Sequence, residues 1–521
     1  MSATEIDKFV TAAQRHHAGG RLWRLFILAI VVIIFLIGLA AIIVGSVALA
    51  RFTDSGTPHH EDIVEHFKYG SIGSEPESGL PYWLWQALPR LYPEEFEGRN
   101  DYRAFGFLYE KDDQGEPRDL PIGVSQRRVN GVDLVWLNCA ICHAGTVRMS
   151  ADDTATIIPA MPSNNLDLMR FIEVVLGAGP DPELAPDNLF PVLDKMGADL
   201  DWIDRLVWRL YVLPQVREGL LDQRAKLGEL LEAQSDWGPG RVDTFNPYKL
   251  LEFGQTIADL GDDEIHGASD FPSIFHQGPR DGMQLHWDGN NPSLQERNLS
   301  AAIGAGVTEA TVDHAAIERV ADWLTDLAPA PSPHMPEAAL VSTGRDIYMD
   351  HCAACHGYRA DDGAYVFAGE HLGTVTPIAE IATDAGRLNS YTEELSNLQR
   401  GLFANEPEYA FRHFRKTDGY ANQPLDGLWL RAPYLHNGAV PTLADLLTPE
   451  TARPQSYVRG LDQIDWDKGG FIAPHCTPGE VLEEGFCFDT TASGNGNQGH
   501  GYGTDLPAGQ KSALLAYLKT F

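Results

Sequence analysis

The first twenty-odd residues mix polar and apolar positions. Leu25 to Ala50 then carries no charged residue at all. An unbroken apolar run cannot fold back on a core of its own, and at about 1.5 Å rise per residue it crosses the ~30 Å hydrocarbon layer as a helix with room to tilt. Lys8, Arg15, Arg21 and Arg24 precede the run and Arg51 follows it. The excess of basic residues before it predicts residues 1–24 inside, 25–50 as a transmembrane anchor, and the rest outside. A cleaved signal peptide competes with this reading, because Ala48-Leu49-Ala50 has the small-residue form of a cleavage site. Signal peptides usually carry a much shorter apolar region, which favours a retained anchor.

Beyond the anchor the periodicity is helical where it is clear. Asn165–Leu176, Asp201–Leu213 and Glu337–His356 repeat apolar residues at three- and four-residue spacing. Residues 507–521 open with Pro507 and present Leu514, Leu515, Tyr517 and Leu518. Residues 81–130 show little period but many aromatics (Tyr82, Trp83, Trp85, Tyr92, Phe96) and read as an extension with a packed core. Ala328 to Pro333 alternates proline with small residues and marks a linker. The boundaries that follow are a tether and extension over 51–130, a first domain over 131–330 and a second over 331–521.

Two short segments bring in the chemistry. Cys139-Ala-Ile-Cys142-His143 and Cys352-Ala-Ala-Cys355-His356 both read Cys-x-x-Cys-His, the attachment site of a c-type haem. Two thiols at this spacing bond the two vinyl groups, and the adjacent histidine becomes the proximal iron ligand. A redox dithiol would sit in a βαβ setting, and a structural zinc site would need a second cysteine pair nearby; neither motif has these surroundings. Two covalently bound haems are therefore expected, with Cys139, Cys142, Cys352 and Cys355 as attachment points and His143 and His356 on the irons. The two cysteines left over, Cys476 and Cys487, are close in sequence and predict a disulfide, since c-type haems are attached outside the cytoplasm where disulfides persist. The expected setting is the periplasmic face of a bacterial inner membrane.

The second motif ends a predicted helix, and the chain closes with another, as in a class I cytochrome c. Such domains often take a methionine from the loop before the last helix as second axial ligand. Here the last methionine is Met349, before the motif. Downstream histidines remain: His371, His413, His436, His475 and His500. His500 lies in the glycine-rich stretch Gly494–Gly503 just before the final helix, and glycine allows backbone to approach a porphyrin closely. His500 is the first choice and His436 the alternative. A histidine on each face would make a low-spin, closed iron suited to relaying electrons. For the first site the second ligand is Met161, His266, His276 or His286, or none; an open face would make it the reactive one.

The net charge of −34 across 521 residues excludes nucleic acid as a partner and suggests a basic redox protein in the periplasm or membrane. The plainer reading, a solubilising acidic surface, is favoured because the acidic residues are dispersed.

Two haem motifs with Trp287-Asp288-Gly289 between them and Pro433-Tyr434-Leu435-His436-Asn437-Gly438 after them resemble the bacterial dihaem cytochrome c peroxidase superfamily. With Phe67-Lys-Tyr-Gly and Leu285-His-Trp-Asp-Gly-Asn-Asn the chain is most similar to the rubber-oxygenase-like branch, over residues 65–521. The resemblance implies a mainly α fold of two class I cytochrome c-like haem domains with long loops and extensions, and Trp287 between the haems as an electron-transfer residue. The peroxidase acid–base positions are occupied here by Arg297 and Val307, with Glu309 off register. The expectations are thus a membrane-anchored dihaem electron carrier, an oxygenase or oxidase with O₂ at the first haem, and a peroxidase, in that order.

Overall fold

The computed structural model describes residues 2–52, 57–112 and 114–521. The chain divides into two compact units. One comprises residues up to Gly56 together with Arg128–Asp133. Its main element is the helix Ala3–Phe52. Within it Trp23–Ile43 has a mean hydropathy of 3.4 and buries nothing inside the protein. Leu25, Phe26, Ile34, Phe35 and Ile37 all stand exposed. A helix this apolar and this bare needs a nonaqueous environment, which an anchor or a signal peptide would equally supply.

The second unit comprises Thr57–Arg127 and Leu134–Phe521. Its helices are short and separated by long loops. Helix Ile63–Tyr69 starts where the Asp62 carboxylate accepts the N–H groups of Val64 and Glu65, each at 2.9 Å. The extension has the aromatic core its composition predicts: Trp85 stacks on Tyr102 at 3.9 Å, and Phe96, Phe105, Phe107 and Phe171 close around them. Helices Ala338–His351 and Ala508–Leu518 pack against each other. Gly344 makes this possible, because a Cβ there would stand 1.9 Å from the Ala513 carbonyl oxygen.

The fold is mixed rather than mainly α. Small antiparallel sheets punctuate the loops: Ala144–Val147 with Thr156–Pro159, Val375–Pro377 with Gly419–Ala421, and Ser456–Arg459 with Phe486–Asp489. Strands of three or four residues are too short to display an alternating pattern, so they were invisible to periodicity. Cys487, in the last of these strands, forms the expected disulfide with Cys476.

Candidate functional site

The second motif follows directly on helix Ala338–His351. Cys352 ends that helix, Ala353–His356 adds one more turn, and Gly357 stops it at a positive φ of 72°. Only glycine fits there, since a Cβ would lie 2.6 Å from the Val366 carbonyl oxygen. His356 Nδ1 donates to the Gln423 carbonyl at 2.7 Å. That bond fixes the tautomer and leaves Nε2 as a free lone pair, the form a metal requires.

His500 stands opposite. Its ring centre is 6.2 Å from that of His356, with the planes tilted by 41°. With about 2.0 Å from metal to imidazole nitrogen and about 1.2 Å from nitrogen to ring centre, two imidazoles on opposite faces of one iron have centres about 6.4 Å apart. The loop holds His500 there through several bonds. His500 N–H donates to the Ile381 carbonyl at 2.8 Å, Gly499 N–H to Glu450 at 3.0 Å, and buried Arg453 to the Gly499 carbonyl at 2.9 Å. Burial, then proximity to His356, lowers the His500 pKa to about 3, so it is neutral and able to donate a lone pair. His436 is turned to other work. It is buried, stacks on Tyr420 at 4.1 Å, and holds its Nε2 3.1 Å from the Tyr420 hydroxyl. His413 is bonded to Glu296 and His475 to Ser456.

The first motif is built differently, in a 3₁₀ turn over Cys139–Ile141 that leads into a hairpin. Asn138 anchors it. Its side-chain oxygen accepts Ala140 N–H at 2.9 Å, and its amide donates to the Gly70 carbonyl at 2.9 Å and the Lys68 carbonyl at 3.3 Å. The Phe67-Lys-Tyr-Gly segment is thereby stapled to the motif. The loop after the hairpin returns, with Ala160 N–H on the His143 carbonyl at 2.8 Å and Ser163 N–H on the Cys142 carbonyl at 2.9 Å. His143 Nδ1 is buried without a partner. Burial, then the charge of Arg297, lowers its pKa to about 3. Among the described residues no aromatic ring faces His143 as His500 faces His356.

Of the four candidates for the second ligand here, Met161 is core and His276 is bonded to Asp426 at 2.9 Å. His266 has an unpartnered Nδ1 but packs under Gly494. His286 alone lines the central cavity, with Nδ1 on Asn290 Oδ1 at 2.5 Å. Val307 is fully buried and Glu309 accepts the Phe403 N–H, and neither lines the central cavity.

A cavity of about 250 Å³ joins these parts, lined by Cys352, Cys355, His356 and His500 on one side and by Pro162–Asn164, His286, Trp287 and Arg297 on the other. Trp287 donates its indole N–H to the Asp270 carbonyl at 2.8 Å. Gln423 ties the two sides: its carbonyl accepts from His356, and its amide donates to the His286 carbonyl at 2.9 Å. Gln423 carries no sequence signal and was not anticipated.

The charge of the wall is opposite to that of the chain. Arg280, Arg297, Arg431 and Arg459 line it, against Asp270. Buried Asp426 bridges Arg280 and Arg431, and Asp270 holds Arg459 at 2.8 Å. Arg431 Nε and Arg459 Nη1 remain buried without partners. A haem brings two carboxylates and needs such donors, so the donor set fits it. The four motif thiols are free, and burial raises the pKa of each: to about 11 for Cys139 and about 12 for Cys142 and Cys352. Reactive cysteines need the opposite shift. No cluster of three or more metal-ligating side chains exists among the described residues.

Residues 419–458, which contain Tyr420, Gln423, Asp426 and His436, match the family described as RoxA-like, cytochrome c-like. The match supports kinship with RoxA-like cytochromes and implies covalently bound haem c. Two proteins of Sinorhizobium fredii are similar to parts of the chain. Uncharacterized protein y4iM is 28% identical over 250 residues, 44% of this chain and 56% of that protein. Uncharacterized protein y4iJ is 41% identical over 110 residues, 19% of this chain. The chain spans 56% and 17% of the lengths of these relatives.

Proposed function

We propose that this protein is a membrane-anchored dihaem c-type cytochrome that transfers electrons outside the cytoplasm, with the second haem as a closed, low-spin relay. The observation that carries this reading is the opposed pair His356 and His500, whose separation of 6.2 Å matches two ligands on one iron. In this reading Cys352 and Cys355 hold the second haem, His356 and His500 ligate it, and Cys139, Cys142 and His143 hold the first. A bound haem c supplies a one-electron couple whose potential depends on its ligands and burial.

The protein's own residues do the rest. The Gln423 carbonyl holds the His356 imidazole in the ligating tautomer and raises its basicity. Arg280, Arg431 and Arg459 of the wall would neutralise haem carboxylates in a chain whose net charge is −34. Leu443, Leu446, Leu447, Leu514 and Leu518 keep water from the cavity on the His356 side. His286, Trp287 and Gln423 form the covalent and hydrogen-bonded path between the two sides, which suits Trp287 as an electron-transfer residue.

A second reading has its own support. Among the described residues no ring opposes His143, which favours a haem-dependent oxygenase or oxidase with the first site as the reactive one. Val307 in place of the peroxidase glutamate, with Glu309 bonded to the Phe403 N–H, argues against a peroxidase.

Spectroscopy of the purified holoprotein tests both. Pyridine haemochrome assay is expected to give two haems per chain. His500→Ala is expected to convert one haem from low-spin to high-spin; an unchanged spectrum would exclude His500 and promote His436. Carbon monoxide binding to the reduced wild type would favour the second reading, and its absence the first.

A further inference from the structure

Arg297 lies in the helix Leu294–Gly304, which is capped by the Ser293 hydroxyl accepting Glu296 N–H. The neighbouring carboxylate is already committed. Glu296 accepts the Asn291 amide at 2.8 Å, the backbone N–H groups of Arg412 and His413, and the His413 ring. Arg297 itself is only 6% exposed, and its guanidinium makes no hydrogen bond or ion pair among the described residues. The other cavity arginines differ: Arg280 and Arg431 share Asp426, and Arg459 holds Asp270. Taking a guanidinium out of water without an anionic partner is costly, and a residue kept in that state commonly serves something it must bind.

What it faces follows from its neighbours. Arg297 lines the cavity with His286, Trp287 and the Pro162–Asn164 loop. That loop is bonded to the first motif at Cys142. Burial, helped by Arg280, lowers the Arg297 pKa to about 10, which still leaves it charged at neutral pH. A planar fork of donors in a water-poor pocket favours a small anion or an anionic oxygen over a neutral ligand.

We propose that Arg297 makes the cavity beside His286 a binding site for a small diffusible anion at the first haem, and so selects which ligands reach that haem. The inference rests on the reading that Cys139, Cys142 and His143 hold a haem. A carboxylate of that haem offers the same chemistry and is the competing occupant.

The test uses the full-length holoprotein in detergent, oxidised, titrated with sodium fluoride and with sodium azide while the haem bands are followed. Wild type, Arg297→Leu and Arg297→Lys are compared, with haem content and circular dichroism measured on each. The expected result is a loss of roughly tenfold or more in anion affinity in Arg297→Leu, the scale of one charged hydrogen bond, with partial recovery in Arg297→Lys and unchanged haem content. Two haems with equal anion affinity in all three proteins would overturn the proposal. Loss of haem, or a shifted midpoint potential, at unchanged affinity would assign Arg297 to the haem carboxylate and also overturn it. Should Arg297→Leu lose the native circular dichroism, Arg297→Gln takes its place, and full anion affinity in that folded, neutral variant would overturn the proposal as well. A haem count of one in the wild type would instead sink the underlying reading, and the inference with it.

Discussion

Asp426 shows how much a single buried carboxylate carries. It is 2% exposed and bonded to Arg280, Arg431 and His276. Burial alone would raise its pKa, but Arg280 and Arg431 outweigh burial and hold it below the ordinary 3.8. A carboxyl that titrates lower in the folded state than in the unfolded chain stabilises the fold above its ordinary pKa. That stability is lost as pH falls from 3.8 through the folded value. Replacing Asp426 with Asn strands two buried guanidinium groups and is expected to cost about 3–5 kcal/mol near neutral pH. The same variant should lose less stability than wild type on acidification below pH 3.8. Urea unfolding at several pH values measures both, and parallel pH profiles would contradict the assignment.

At the scale of elements, the second site depends on two helices crossing at one glycine. Gly344 brings helix Ala338–His351 against Ala508–Leu518, and the Cys352–His356 turn continues from the first of them. Gly344→Ala would place a methyl 1.9 Å from the Ala513 carbonyl oxygen and 2.9 Å from Tyr517 Cβ. Backbone on the far side cannot yield as a side chain can, so the helices must separate. The expected cost is about 1–3 kcal/mol, read as a lower midpoint of thermal or urea unfolding. An unchanged midpoint would mean the helices can slide. The first site is built otherwise. Its equivalent is Asn138, one side chain that caps the turn and holds Lys68 and Gly70.

For the whole molecule two properties dominate, the apolar helix and the charge. If Trp23–Ile43 anchors the chain, the protein should stay with membranes through a high-salt wash and leave them in detergent, and its intact mass should include residues 2–24. A mature protein beginning near residue 51 would identify a signal peptide instead. The charge of −34 predicts that electron exchange with a basic redox protein slows as salt rises, because screening removes the steering field. A rate independent of ionic strength would remove charge from partner choice.

The two Cys-x-x-Cys-His motifs, the Cys476–Cys487 pair, the apolar run and the two terminal helices of the second site were legible in the residues themselves. Each is local: a covalent spacing, a composition or a helical period within some twenty residues. The lack of a methionine after Met349 was equally local, and it narrowed the choice to histidines. Which histidine meets His356 was a matter of tertiary structure. His436 sits in the more conspicuous motif, yet its ring is taken by Tyr420, while the glycine-rich loop delivers His500. Gln423, the Asp426 bridge and unpaired Arg297 were likewise decided by contacts between segments far apart in the chain. Attachment of a cofactor is written in neighbouring residues. The far face of its iron, and the charge around it, are set by whatever the fold brings there.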